Sequence, residues 1–194
     1  TEVRDRYGSD DYLIVTYEPK SRPLFETAVL DHLWALHKDL EELERVNSVI
    51  SIMNVPLLKS PPVTLEQAQK DLPELKDPET DPLAAKQELT TSSLYRNVLI
   101  SPEGDLAALL INVEKDEKLR ELISSRNELR RKKRQDGLSL EENKELAKLE
   151  LATQQQQSIY QARQEQLTDR VRNVISAYDD KANLYLGGVP MIVA

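Results

Sequence analysis

The chain has 194 residues, with 26 Lys+Arg against 34 Asp+Glu for a net charge of −8, and it contains no cysteine. At this length one domain, or a small domain with an insertion, is expected. The missing cysteines exclude disulfides, zinc ribbons, iron–sulfur clusters and thiol catalysis, and the acidic balance works against general nucleic-acid binding, which rests on Lys and Arg neutralising phosphates.

No run of apolar residues is long enough to span a bilayer, and Thr1 is followed by no basic-then-apolar leader, so no signal peptide is expected. The sequence holds no GxGxxG, P-loop or HExxH motif. These features point to an interaction domain, not an enzyme, with no catalytic or metal-binding residues and no cofactor.

In chain order, Asp11–Tyr17 is β-branched and aromatic between turn-forming flanks, which predicts a central strand. From Leu24 to Arg45 apolar residues recur at three- and four-residue steps, predicting one amphipathic helix of about six turns. Ser48–Met53 reads as a second strand, so strand–helix–strand forms a βαβ unit. Residues 56–93, with six of the ten prolines between Pro56 and Pro82, read as an ordered excursion over the core. Short helices are expected at Thr64–Leu72 and Pro82–Leu89, the first with a Thr64 cap and the second with Pro82 at its first position.

Asn97–Ser101 and Leu106–Val113 flank Pro102-Glu-Gly-Asp105, a hairpin signal in which Gly104 can take positive φ. Residues 114–180 are strongly charged, with apolar positions thinned to a seam. Gly137 suits a helix C-terminus, and Ser139 with Glu142 makes a capping box. Two antiparallel helices follow, the second of about 40 residues and roughly 60 Å, the first about half that. Asn183–Leu186 reads as a last strand before Gly187-Gly188 and Pro190.

The order of elements predicts an α+β fold of the ferredoxin-like, split βαβ kind: a four-stranded antiparallel sheet with two helices, and an inserted long antiparallel helical hairpin. The α/β core is expected over 1–113 and 158–194, the inserted hairpin over 114–157, reaching roughly 30 Å beyond the core.

Few residues suggest chemistry. His32 and His37 lie five apart on one helix, about 140° around its axis, so they do not form a zinc pair and read as surface or boundary residues. Asp10-Asp11 reads as a solvated turn in preference to a calcium site, and Ser9 has no catalytic partners around it. The notable patch is basic: Arg126, Arg130, Arg131, Lys132, Lys133 and Arg134 against Glu128 alone give +5, leaving −13 on the rest of the chain. Such a run is either a solvated helix end whose cations complement the helix dipole, or a contact for an anionic protein surface or lipid headgroups.

Several segments together resemble a known family. Tyr7-Gly-Ser-Asp-Asp11 is similar to the FGSD-type lead-in of exporters of the resistance–nodulation–division (RND) superfamily, with Tyr7 in place of the usual Phe. Asn47–Leu58, Leu94–Asp105 and Leu186-Gly-Gly-Val-Pro190 resemble, in order, that family's V-x-S-[IL]-x-N segment at the end of the first helix, its strand and turn, and the G-x-P before the second membrane helix. Glu128-Leu-Arg, Gly137-Leu-Ser and Glu141-Glu142 are similar to the helical hairpin inserted in the hydrophobe- and lipid-exporter branch.

The resemblance implies an extracytoplasmic porter-type subdomain between two membrane helices, anchored in the cytoplasmic membrane by the full-length protein. A start without Met and a stop at Ala194 accord with it. It implies proton-driven export of hydrophobic or amphiphilic molecules or lipids, with energy coupling in membrane helices outside these residues. Partners would be the exporter's other domains, an oligomer of the full-length protein, and a protein or anionic lipid at the hairpin. The alternative is a non-transport coiled-coil adaptor that binds a partner through the hairpin.

Overall fold

A computed structural model of the chain describes residues 12–59 and 72–188. The FGSD-like lead-in, Ser9, Asp10-Asp11, the Val-Pro of the last motif and nearly all of the expected helix at 64–72 lie outside the described residues. The described elements are β1 (Tyr12–Pro19), α1 (Thr27–Glu41), β2 (Val46–Ile50), α2 (Pro82–Thr91), β3 (Ala107–Val113), α3 (Glu117–Gln135), α4 (Leu140–Ser176) and β4 (Ala182–Gly187).

The four strands form one sheet in the order β2-β3-β1-β4, every pairing antiparallel. The α+β, split βαβ arrangement expected from the element order is therefore present. β1 is central as expected: Val15 lies opposite Leu109 on one side and Leu186 on the other. Leu13, Val15 and Tyr17 are buried while the residues between them are less so, the period-two alternation of a strand with one face on the core. α1 covers β2 and β3 with Val29, Leu30, Leu33, Leu36 and Leu40.

Three expected elements differ, each for a local reason. α1 has 15 residues and ends at Glu41, not Arg45, because Arg45 takes φ 74° and turns the chain into β2. β2 begins at Val46 and ends at Ile50, short of Met53. There Asn54 accepts from the Ser51 N–H at 2.9 Å and donates to the Val49 carbonyl at 2.8 Å, replacing ladder bonds by a side-chain turn.

The third difference is Asn97–Ser101, which is not a sheet strand. Asn97 has φ 64°, and Val98 and Leu99 both donate to the Tyr95 carbonyl, so the run coils and buries Leu99 and Ile100. Only its end pairs, with Ser101 N–H to Leu106 O at 3.0 Å and Ala108 N–H to Leu99 O at 2.9 Å. The turn itself forms as read, with Gly104 at φ 71°.

In the proline-rich excursion, Leu57, Leu75, Ala85 and Leu89 are buried. α2 starts at Pro82, capped by the Asp81 carboxylate on the Leu83 N–H. The Glu88 carboxylate accepts the N–H groups of Leu58 and Lys59 at 2.6 and 2.9 Å, and Tyr95 Oη donates to the Pro56 carbonyl at 2.8 Å.

The chain divides into two compact units, one made of residues up to Glu114 together with those from Arg170, the other of Lys115–Asp169. In the first, Val171 and Ile175 of α4 are buried, and Arg170 Nη1 donates to Glu44 Oε2 at 2.8 Å. The second holds α3 and most of α4 as an antiparallel pair: Asp116 meets Gln156, Arg130 meets Glu150, and Lys132 meets Glu142. It runs to Asp169, past the boundary at 157 read from the sequence, because buried positions continue at three- and four-residue steps through Thr153, Gln156, Tyr160, Gln164 and Leu167. The capping box is reciprocal: Ser139 N–H to Glu142 Oε2 at 2.9 Å, and Glu142 N–H to Ser139 Oγ at 3.2 Å.

Candidate functional site

The six basic residues singled out by charge all lie on the C-terminal half of α3, but they do not form one uniform patch. Arg130 Nε and Nη2 both donate to Glu150 Oε1, at 3.1 and 2.8 Å, and Lys132 pairs with Glu142. The half-buried Arg126 donates to Asn127 Oδ1 at 3.3 and 3.2 Å. Arg131, Lys133 and Arg134 are exposed, and among the described residues no ion pair involves them. Arg131 and Arg134 line an open groove with Ser124, Asn127 and Glu128. Lys132, Lys133 and Arg134 form the last turn, where cations complement the dipole.

The pairing has an electrostatic signature. The Lys132 ammonium, with the Ser139 N–H, holds the Glu142 carboxyl down at about 2, and Glu142 holds the Lys132 ammonium above its ordinary value. Lys132 is exposed and Glu142 partly so, so solvent screens the pair and its part in stability is small. Within the run, Arg131, Lys133 and Arg134 are the exposed cations outside these pairs among the described residues.

A second cluster, in the first unit, escaped the sequence. Tyr17, at the buried end of β1, has its Oη 2.8 Å from His32 Nδ1, and the His32 ring faces that of Tyr178 with centroids 5.1 Å apart. Tyr178 Oη in turn donates to Asp39. Burial, then the Asp180 charge, pushes the Tyr17 phenol up to about 12, so it stays protonated at neutral pH. His32 is held below its ordinary value by burial and the nearby Lys181 cation, against an opposing pull from Asp180. Where the phenol donates to Nδ1, the neutral ring carries its proton on Nε2. That nitrogen is 3.7 Å from Asp180 Oδ1, beyond hydrogen-bond distance. Of these residues Tyr17, His32 and Asp180 line a cavity of about 350 Å³ that Pro19, Arg22, Ala28 and Lys181 also border.

His37 is not a boundary residue but a fully buried one. Its Nδ1 bonds Ser51 Oγ at 2.9 Å, its ring lies against Trp34, and its Nε2 has no hydrogen-bond partner, with Glu41 Oε2 at 4.0 Å. Burial, and then the Lys76 charge, brings its pKa down to about 4. The two histidines serve separate local clusters, and no group of three or more His, Asp or Glu able to hold a metal occurs among the described residues. The one sequence signal for these pairs was a Tyr closing an apolar strand, since a buried Tyr seeks a partner for its hydroxyl.

No protein-family model matches the chain, and no curated protein matches it to a significant level. No described helix is long and apolar enough to cross a membrane.

Proposed function

We propose that this chain is a porter subdomain of a proton-driven RND-type exporter, on the extracytoplasmic side, forming part of the path for hydrophobic or amphiphilic molecules or lipids. The observation that carries the reading is the split βαβ sheet, order β2-β3-β1-β4, with a long helical hairpin inserted between β3 and β4. That is the architecture the family resemblance calls for, and the resembling segments follow one another along it. Fold alone does not fix function; the order of the resembling segments along the sequence supports the reading. In this role the α/β unit moves as a block in the transport cycle, and the exposed cations of α3 contact an anionic protein surface or lipid headgroups.

The test is transport by the full reading frame in cells. Nile red accumulation should fall when the intact protein is expressed and recover when a protonophore collapses the proton gradient. Unchanged accumulation of Nile red and of a fluorescent lipid would remove the transport reading. The second reading, a partner-binding coiled-coil module, is favoured by the exposed Arg131, Lys133 and Arg134, which form no ion pair among the described residues. In that case Arg131→Glu with Arg134→Glu abolishes partner capture while leaving dye accumulation untouched.

A further inference from the structure

The cavity beside Tyr17 and His32 has a chemistry of its own. At about 350 Å³ it falls near the lower end of small-molecule sites, which run from ~300 to ~1,000 Å³. Its walls divide into three parts. Pro19 and the exposed Ala28 form the accessible apolar surface, with Val29 and the Tyr17 ring buried behind them. His32 Nε2 lies 3.7 Å from Asp180 Oδ1 and has no hydrogen-bond partner among the described residues, so with Nδ1 taken by Tyr17 it is free to donate to a ligand. The neighbours Asp180 and Lys181 place one anion and one cation at the mouth, and no ion pair joins them to each other. Arg22, which also borders the cavity, is neutralised by Glu26.

The mouth is held in place. Ala182 pairs with Pro19, the Lys20 N–H donates to the Lys181 carbonyl at 2.9 Å, and Lys20 Nζ donates to the Asp179 carbonyl. The Asp180–Lys181 turn is thus tied to the end of β1 while both side chains remain exposed.

We propose that this cavity binds a small zwitterion with an apolar side chain, of the α-amino acid class. The ligand carboxylate lies between the Lys181 ammonium and the His32 Nε2–H, its ammonium lies on the Asp180 carboxylate, and its side chain packs against Pro19 and Ala28. A simple carboxylate at His32 would lie beside Asp180, whose oxygen is 3.7 Å from the same nitrogen, and like charges repel there. A simple amine at Asp180 would meet Lys181. A zwitterion satisfies both charges at once, and the neutral imidazole supplies a donor without adding charge.

This assignment is independent of the exporter reading, because it rests on cavity residues that no transport argument uses. It is tested by NMR on the isotope-labelled chain, titrated separately with leucine, 4-methylpentanoate and 3-methylbutylamine. Leucine should shift the His32 ring signals saturably, with affinity about ten-fold above either singly charged analogue. Lys181→Gln and Asp180→Asn, both at exposed positions, should each weaken leucine several-fold while leaving the remaining spectrum folded. The absence of a saturable shift with leucine overturns the proposal. So does equal binding by the acid or the amine, or full leucine affinity in both variants.

Discussion

Glu88 takes a carboxylate into the part of the fold where the proline-rich segment lacks regular pairing. Its two oxygens accept the adjacent N–H groups of Leu58 and Lys59, so one side chain does what a strand partner would do. Glu88→Ala leaves both donors to solvent. Because Leu58 and Lys59 are themselves exposed, water replaces part of the loss, and the expected destabilisation is about 1–2 kcal/mol by urea denaturation, with Glu88→Gln losing roughly half as much. His37 acts through protonation. Its folded pKa of about 4 lies below the ordinary 6.5, so the unfolded chain binds more protons between those values. Its contribution is complete above about pH 6.5 and is lost as the pH falls toward 4, at most about 3 kcal/mol. Acid and base titrations of stability should show a positive slope from about pH 4 to 6.5, and His37→Gln should flatten it. His32, shifted in the same sense, leaves a smaller residual slope.

Among elements, the turns and caps carry the sharpest sequence signals because their rules are local. Gly104 has φ 71°, and a Cβ there would lie 2.6 Å from Lys86 Cε on α2. Lys86 can move, but the backbone conformation remains costly, so Gly104→Ala should lower stability by about 1–2 kcal/mol in thermal or urea unfolding. Ser139→Ala should fray the first turn of α4, costing ~0.5–2 kcal/mol and raising amide exchange over residues 140–143. Both features were legible in the sequence, as were the central position of β1, the start of α2 at Pro82 and the break at Gly137. The misread elements share a cause. Apolar periodicity continues through Leu43 and through Val98–Ile100, but Arg45 and Asn97 take positive φ, which non-glycine residues adopt only when tertiary packing compensates. The Tyr17–His32 pair, 15 residues apart, and the Glu88 contacts, about 30 apart, carry no periodic signal at all. The basic run was visible as charge, yet its division into paired and outward cations depends on α4, whose Glu142 and Glu150 no local rule assigns.

For the whole molecule, the division into two units makes a physical claim about independence. Asp116 and Gln156 are joined by a 2.8 Å hydrogen bond, so the chain can be shortened across that contact. Replacing 118–155 by a short Gly/Ser bridge should leave the first unit folded, with cooperative unfolding by circular dichroism; a non-cooperative melt would show that its core depends on the removed helices. The larger claim is that this chain belongs to a membrane exporter. The most direct test is the reading frame downstream of Ala194. The account predicts a run of about 20 apolar residues within a short distance, long enough to cross a bilayer. A frame that ends at or soon after Ala194, with no such run on either side, contradicts it.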